Sequence, residues 1–243
     1  MKKLYLILFL VTLMSVLTGC ENKAPVVDPS AVAIINGEKI TNTMFEEKKK
    51  DLLQKEYIQR KNLERLKNSE QDGEKISDMI SKLEESLTAE ITPNLVFNEL
   101  IREIVQEQEA KKQGLTVSDQ EVERTLEQSR VTERNIDKDS EEYEILREAK
   151  KEYMELEGIK TEKEYEDHLR QGMRKIFLIG HLESMKKEEL AIEIAKENPS
   201  LFGDTFRAMV ETSYQNYVEE LLEKAEIKIN DKTFIVEKRK LHP

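Results

Sequence analysis

Few side chains in this sequence are suited to chemistry: one cysteine, Cys20, and three histidines, His168, His181 and His242. Cys20 could be a nucleophile, a metal ligand, half of an intermolecular disulfide or the attachment point of another group. No second cysteine occurs in the sequence to pair with it or to share a metal ion. His168 and His181 are 13 residues apart, too far for two ligands on one helix face. We interpret both histidines as surface or partly buried side chains.

Carboxylates are abundant, and many recur at the spacing of one helical turn. Most of them face a lysine or arginine one turn away, which is typical of solvated helices. The sequence contains no glycine-rich phosphate loop, no Ser-His-Asp arrangement and no Glu-x-x-His motif. We therefore predict no catalytic residues, no metal ligands and no cofactor.

The first 19 residues have the pattern of an export signal. Lys2 and Lys3 precede an uncharged apolar or small stretch over residues 4–17. This length suits a signal-peptide core of roughly 7–15 residues, whereas a membrane-spanning helix needs about 20. We predict that residues 1–19 are a signal peptide and exclude them from the fold.

The residues at the end of this segment, Leu17-Thr18-Gly19-Cys20, resemble the bacterial lipobox. The resemblance implies a diacylglycerol on the Cys20 sulfur and cleavage just before that residue. Acyl chains would then anchor the protein on the extracytoplasmic face of the bacterial cell membrane. The alternative is an ordinary secretory signal followed by a free cysteine.

The charge balance excludes several kinds of partner. Lysine and arginine number 39 against 50 acidic residues; without residues 1–19, 37 basic residues remain and the net charge is −13. Nucleic acid is an unsuitable partner because its binding depends on basic contacts to phosphate. An anionic membrane surface would also repel the chain, so anchoring would depend on lipid.

Composition predicts a mainly α fold. Glycine (8) and proline (5) are scarce and tryptophan is absent, which is typical of long solvated helices. We expect an extended multi-helix module with shallow grooves instead of one deep core. A small β-sheet, formed from strands near the N- and C-terminal ends, would complete it.

Local signals place the elements. Asn36-Gly37 between two short apolar runs predicts a β-hairpin, and Thr41, Thr92, Ser118 and Thr161 are suited to cap helices. In the first half of the chain we expect a tether over 20–30, a helical stripe over 76–91 and a helix closed by Gly114. A loop over 131–139 and a helix near 140–156 follow, and then a helix that ends near Asn198 and carries an apolar stripe through Leu169, Met173, Ile176 and Phe177. The last elements are a helix capped by Asp204 and two strands, "EIKIN" (226–230) and "TFIVE" (233–237).

Three stretches resemble the SurA and PrsA family of exported chaperones and foldases. They are "VAIINGEKITNTMFEEK" (32–48), "LIREIVQEQEAKKQGLTVSDQEVERTL" (100–126) and "YVEELLEKAEIKI" (217–229). The resemblance implies a helical fold in which the first and last segments meet through a small sheet, similar also to the peptide-binding arms of trigger factor. Many members insert a glycine-rich parvulin domain, whereas residues 127–203 contain four glycines and have a helical pattern here. Isomerase activity is therefore not expected.

We predict a SurA-like helical chaperone domain over 31–243, with an N-terminal part (31–130), a helical insert (131–203) and a closing helix with strands (204–243). It would bind unfolded exported polypeptides without ATP, through residues that the sequence does not identify. The alternatives are an accessory envelope lipoprotein with one dedicated partner and, less favoured, a prolyl isomerase. Two helical modules of this kind could also clasp each other as a homodimer.

Overall fold

The computed structural model describes residues 31–68 and 74–237. The predicted signal over 1–19, Cys20 and the tether over 20–30 lie outside the described residues, so they stay predictions.

A three-stranded antiparallel sheet joins segments from opposite ends of the chain. Its strands are β1 (Ala31–Ile35), β2 (Glu38–Thr41) and β3 (Ile227–Ile229), in the order β2-β1-β3. Asn36 and Gly37 have φ angles of 48° and 87°, the left-handed geometry that a two-residue hairpin turn requires. The predicted hairpin and the predicted sheet between the two ends are both confirmed.

Seven helices account for most of the described residues. Thr92, Ser118, Ser140 and Thr161 cap four of them, and a reciprocal capping box forms between Thr161 and Glu164, which confirms the mainly α class. In chain order the helices are α1 (Asn42–Asn68), α2 (Glu74–Ser86), α3 (Pro93–Lys112), α4 (Asp119–Asn135), α5 (Glu141–Glu157), α6 (Glu162–Glu197) and α7 (Gly203–Lys224).

Helix α3 lies at the centre of the main core. It packs against α1, α6, α7 and β1, and its fully buried side chains include Val96, Phe97, Ile101 and Ile104. On the α7 side, Nη2 of Arg102 donates a hydrogen bond to Oε1 of Glu219 at 2.5 Å, with both side chains buried. A smaller cluster, whose buried members are Ala110, Leu178 and Leu182, joins the end of α3 to α6.

Three predicted boundaries are wrong. The stripe over 76–91 is not one helix, because α2 ends at Ser86. The hydroxyls of Ser86 and Thr88 donate hydrogen bonds to carbonyls three residues back, competing with helix continuation. The loop predicted from 131 begins only after Asn135, since α4 continues to that residue. Asp204 does not cap α7: Phe202 occupies the N-cap position, and Asp204 pairs with Arg207 in the first turn.

The segment 233–237, predicted as a strand, lies extended along α3 instead. Side-chain amides of α3 take the place of a partner strand: the amide N–H of Ile235 donates to Oδ1 of Asn94 at 2.9 Å, and that of Glu237 donates to Oδ1 of Asn98 at 2.7 Å. Nδ2 of Asn98 donates in return to the Ile235 carbonyl at 2.9 Å. The period-2 pattern therefore reflects a real extended segment, whose hydrogen bonds go to a helix surface.

Phe234 packs this segment into the main core. Its ring stacks on Phe97 at a centroid distance of 4.6 Å and lies 5.1 Å from the Phe45 ring.

Phe234→Ala should lower the free energy of unfolding by about 2–3 kcal/mol, somewhat less than truncating a fully buried phenylalanine. Urea denaturation followed by circular dichroism measures the change. Ile235→Ala, at a neighbouring side chain that is 65% exposed, should change it by less than about 0.5 kcal/mol. Equal losses in both variants would contradict the packing role of Phe234.

Candidate functional site

One face of α6 forms a wall of three adjoining concavities. Three concavities along this face share lining residues: His168 belongs to the first two, Lys175 to the last two and Gln171 to all three. We call this feature the α6 groove. From Glu164 to Leu178 it is about 21 Å long, at 1.5 Å per helical residue, which accommodates about six extended residues.

The groove exists because the inner face of α6 changes character along its length. Its lining residues recur three and four positions apart: Glu164, His168, Gln171, Lys175 and Leu178. Such spacing places them on one helix face. The first four are polar, so this half of α6 does not close onto α1 as an apolar stripe would. Leu178 begins the buried half, which packs into the smaller cluster.

Ion pairs fix α6 to α4. Arg130 bonds Glu166 at 2.7 Å, Arg170 bonds Glu123 at 2.6 Å, and Arg174 bonds Asp119 at 2.5 Å. Each pair is at least partly exposed and therefore contributes little to stability by itself. The three pairs lie in a row along the side of α6 that contacts α4.

The middle of the groove is a chamber of about 240 Å³ between α1, α3, α6 and the end of α5. A Cβ atom placed on Gly172, in its wall, would meet no atom within 4 Å, so the chamber is open there. We call it the acidic chamber. Its charged and polar lining residues are Glu47, Lys48, Asp51, Glu103, Glu157, His168, Gln171 and Lys175.

Both lysines of the acidic chamber are bound to one carboxylate. Lys48 and Lys175 pair with the two oxygens of Glu103, Lys175 at 2.8 Å. Burial alone would raise the pKa of Glu103, but the two ammonium groups outweigh it and hold that pKa below its usual value. Because both lysines bind Glu103, they donate no hydrogen bonds to the other carboxylates of the chamber.

The remaining carboxylates are poorly neutralised. Among residues 31–68 and 74–237, Glu47 and Asp51 form no ion pair. Asp51 is reached by solvent, but loss of water in the cleft raises the pKa of its carboxyl against the opposing effect of Lys48. The Glu157 side chain is only 8% exposed; its Oε1 accepts no hydrogen bond, and Lys50 Nζ lies 3.5 Å away.

The end of the groove next to α4 exposes mainly apolar surface. It has a volume of about 390 Å³, and its apolar lining residues are Leu115, Val117 and Leu178, beside the charged Glu107, Lys111, Arg174 and Lys175. Leu115 and Val117 also pack on the smaller cluster. Lys111 at its rim pairs with Glu107 at 2.6 Å. The α6 groove therefore offers an acidic middle and an apolar end within one extended site.

The two central histidines lie apart. His168 lines the acidic chamber and meets the Tyr153 ring edge-on at 5.7 Å. His181 lies 2.8 Å from Oε1 of Glu121 and 3.2 Å from the Thr116 carbonyl. Because the Glu121 carboxylate contacts His181, the Ser118 hydroxyl caps α4 without a reciprocal capping box. No three potential metal ligands come together in the described parts of the chain.

The apolar stripe predicted in α6 is only partly buried. None of Leu169, Met173, Ile176 and Phe177 is fully buried, and Ile176 is 66% exposed. These four residues lie outside the face of α6 that lines the groove. That face carries mainly charged residues in the sequence. The sequence signal for the groove was the recurrence of polar residues at helical spacing on this face. In isolation, such a pattern is indistinguishable from a solvent-exposed helix face.

Comparison with known proteins fits this architecture. The family model for the SurA-like N-terminal domain matches residues 2–141, more than half of the chain. The chain belongs to the SurA-like N-terminal domain family. Proteins of this family are chaperone-like and bind unfolded polypeptides in general. No curated protein and no solved structure matches the chain.

The SurA-like match covers only one wall of the groove. Helices α1 and α3 lie inside residues 2–141, whereas α6 follows the matched part. No parvulin domain is matched, and between residues 127 and 203 the structure is helical apart from short connections. None of the described helices combines the length and apolar character needed to cross a bilayer. The residues after 141 thus complete the groove without adding a parvulin fold.

The raised pKa of Asp51 gives a stability prediction. Because the folded pKa lies above the unfolded value of 3.8, the ionised carboxylate destabilises the fold at higher pH, and stability falls as pH rises through this range. Asp51→Asn should therefore raise the Tm at pH 7, with the gain shrinking toward pH 4. Thermal scans at both pH values measure it. As a control, Glu188→Gln removes an exposed α6 carboxylate and should leave the Tm unchanged; a lower Tm for Asp51→Asn at pH 7 would refute the argument.

Proposed function

We propose that this SurA-like protein is a lipid-anchored extracytoplasmic chaperone that holds unfolded or partly folded exported polypeptides without ATP. The observation that carries the proposal is the α6 groove, which is open, about six extended residues long, and both polar and apolar in lining. Family membership supports binding of unfolded chains in general.

The lining suits weak binding of many sequences. An apolar side chain of a client would lie against Leu115, Val117 and Leu178 at one end. Gln171 lines all three concavities, and its side-chain amide can bond a client backbone as donor and acceptor. Exposed apolar side chains outside the groove, such as Phe202 at 84% exposure and Ile176 at 66%, add further contact area.

The acidic surface supports solubility of the complex. A net charge of −11 over the chain repels other copies that carry clients, which limits their association. The same charge disfavours adhesion to anionic lipid headgroups. Under the proposal, attachment to the membrane therefore depends on acyl chains at Cys20.

Chaperone activity is tested by light scattering of a chemically denatured model protein. The SurA-like chain at an equimolar ratio should suppress aggregation. Gln171→Trp, which places a bulky ring at the position shared by all three concavities, should reduce the suppression at least about threefold. Glu188→Trp carries the same ring on an exposed position of α6 and should act as wild type. No suppression by the wild-type chain would refute the function, and full activity of Gln171→Trp would refute the groove as its site.

In-cell crosslinking separates the chaperone from an accessory lipoprotein with one dedicated partner. A photoreactive residue at position 171 should capture many exported proteins, since the groove lacks a pocket shaped for one ligand. Capture of a single recurrent protein would favour the accessory role. A proline-peptide isomerisation assay should give no rate enhancement.

The lipid anchor is tested at Cys20. Cys20→Ser removes the thiol that would carry the acyl chains, so the protein should move from the membrane fraction to the soluble extracytoplasmic fraction. Helix content by circular dichroism should not change. Thr18→Ser keeps a small residue before the cysteine and should stay with the membrane. Membrane retention of Cys20→Ser would argue against lipid attachment at this position.

A further inference from the structure

We propose that His181 is a positioning residue of the α6 groove. Its doubly protonated ring fastens the connection between α3 and α4 (113–118) to α6, so the SurA-like chain holds apolar client segments more tightly at mildly acidic than at alkaline pH. The inference rests on the proposed function, because it assigns a pH dependence to the groove that would hold the client.

Both ring nitrogens of His181 face oxygen atoms. Nδ1 lies 3.2 Å from the Thr116 carbonyl oxygen, and Nε2 lies 2.8 Å from Oε1 of Glu121. A carbonyl oxygen and an ionised carboxylate only accept hydrogen bonds, and a neutral imidazole carries a single N–H. The imidazolium carries two, so it is the form of the ring that satisfies both contacts.

The bond to Thr116 joins the two walls of the apolar end of the groove. One wall is the connection between α3 and α4, which supplies Leu115 and Val117, and the other is α6, which supplies Leu178. His181 follows Leu178 by three residues and therefore lies on the same side of α6. Its bond reaches the backbone between the two apolar side chains of the opposite wall. This bond therefore controls how far apart the two walls lie.

Few other hydrogen bonds hold this connection. The Leu115 N–H donates back to a carbonyl of α3 at 3.0 Å, and the Ser118 side chain caps α4. Between them, no bond among the described residues reaches the backbone of Thr116 or Val117 except the one from His181. Apolar packing of this connection does not depend on pH, so the histidine is the part of its attachment that pH can change.

The contact between His181 and Glu121 lies beside the three ion pairs that join α4 to α6. The cations of those three pairs are arginines, which stay charged at all physiological pH values, whereas histidine ordinarily changes its charge between about pH 5 and 8. The other charged groups that line or flank the apolar end have partners of their own: Lys111 pairs with Glu107, Arg174 with Asp119 of α4, Lys175 with Glu103 and, on α7, Glu211 with Lys187.

Loss of the ring proton weakens the attachment in either tautomer. A neutral ring keeps one N–H, so one of the two oxygens then faces a nitrogen lone pair. That oxygen loses its donor, and the connection is held to α6 and α4 less firmly. Rising pH should therefore loosen the apolar end while the arginine pairs stay in place.

Nitrogen-15 NMR of the ring tests the two contacts directly. His168→Gln combined with His242→Gln leaves His181 as the one histidine of the sequence, so its signals are unambiguous. Both ring N–H protons should be observable at pH 6, because hydrogen bonds slow their exchange with water, and at most one should remain at pH 9. Absence of either proton at pH 6 overturns the inference, whatever the chain binds.

Peptide binding tests the consequence for a client. The probe is an octapeptide of serine and glycine with two central leucines, blocked at both ends and carrying a pH-insensitive dye. Its affinity for the full chain in neutral detergent, measured by fluorescence anisotropy, should fall at least about fivefold from pH 6 to pH 9, as expected for one lost hydrogen bond.

Variants assign this pH dependence to one side chain. His181→Arg keeps a cation with several donors at both pH values and should reduce the fall to less than about twofold. His181→Gln should bind the peptide weakly at both pH values. His168→Gln removes the other histidine of α6 and, as the matched control, should keep the full dependence.

The remaining outcomes separate this inference from the proposed function. Equal affinity of the wild-type chain at the two pH values, or no peptide binding by a chain that still suppresses aggregation, refutes the inference and leaves the chaperone function standing. A dependence that persists in His181→Arg, or disappears in His168→Gln, assigns it to another group. If no peptide binds and aggregation is not suppressed at either pH, the inference fails together with the proposed function.

Discussion

Strand β1 is the structural constraint on which the rest of the fold depends. It pairs with β2 through a local hairpin and with β3 from the far end of the chain, so its two edges join residues almost 200 positions apart. The junction is reinforced by Asn36, whose amide N–H donates to the Glu226 carbonyl and whose Oδ1 accepts from the Glu226 N–H. Once β3 is in place, α7 is held against α3, and the Arg102–Glu219 pair lies buried between them.

This closure explains how a long helical segment fits between the paired ends. The entropic cost of bringing chain ends together grows only logarithmically, by about 0.6 kcal/mol for each doubling of loop length. Residues between α3 and α7 can therefore extend the module at small cost. Here they form α4, α5 and α6, and α6 returns to α3 to supply a wall of the groove. The site thus depends on residues that follow the part matched to the SurA-like family.

Features governed by neighbouring residues were predictable from the sequence. The Asn36-Gly37 turn, the Thr92 and Thr161 caps and the end of α5 at Gly158 depend on contacts within a few positions. Features governed by distant residues were not. The alternation over 233–237 indicated an extended chain, but only the folded structure shows that Asn94 and Asn98 replace a partner strand. Apolar periodicity in α6 identified a helix and not its buried face, because the buried residues Leu178, Leu182 and Ile194 are selected by packing against distant helices.

The α6 groove lay beyond sequence reasoning for a related reason. Asp51, Glu103, Glu157 and His168 are spread over four helices, and each is ordinary in its own segment. Glu103 is neutralised by lysines from α1 and α6, a pairing without a local signature. The excess of charge in the chamber appears only after those pairs are known.

The extended segment with Phe234 has a consequence for the order in which the protein can fold. Synthesis proceeds from the N-terminus, so β1 and α3 leave the ribosome well before residues 227–236. Until those residues arrive, β1 lacks a neighbour on one edge, and the Phe97 and Phe45 rings lack the aromatic side chain that covers them. The core is therefore completed only by the last described residues to be synthesised.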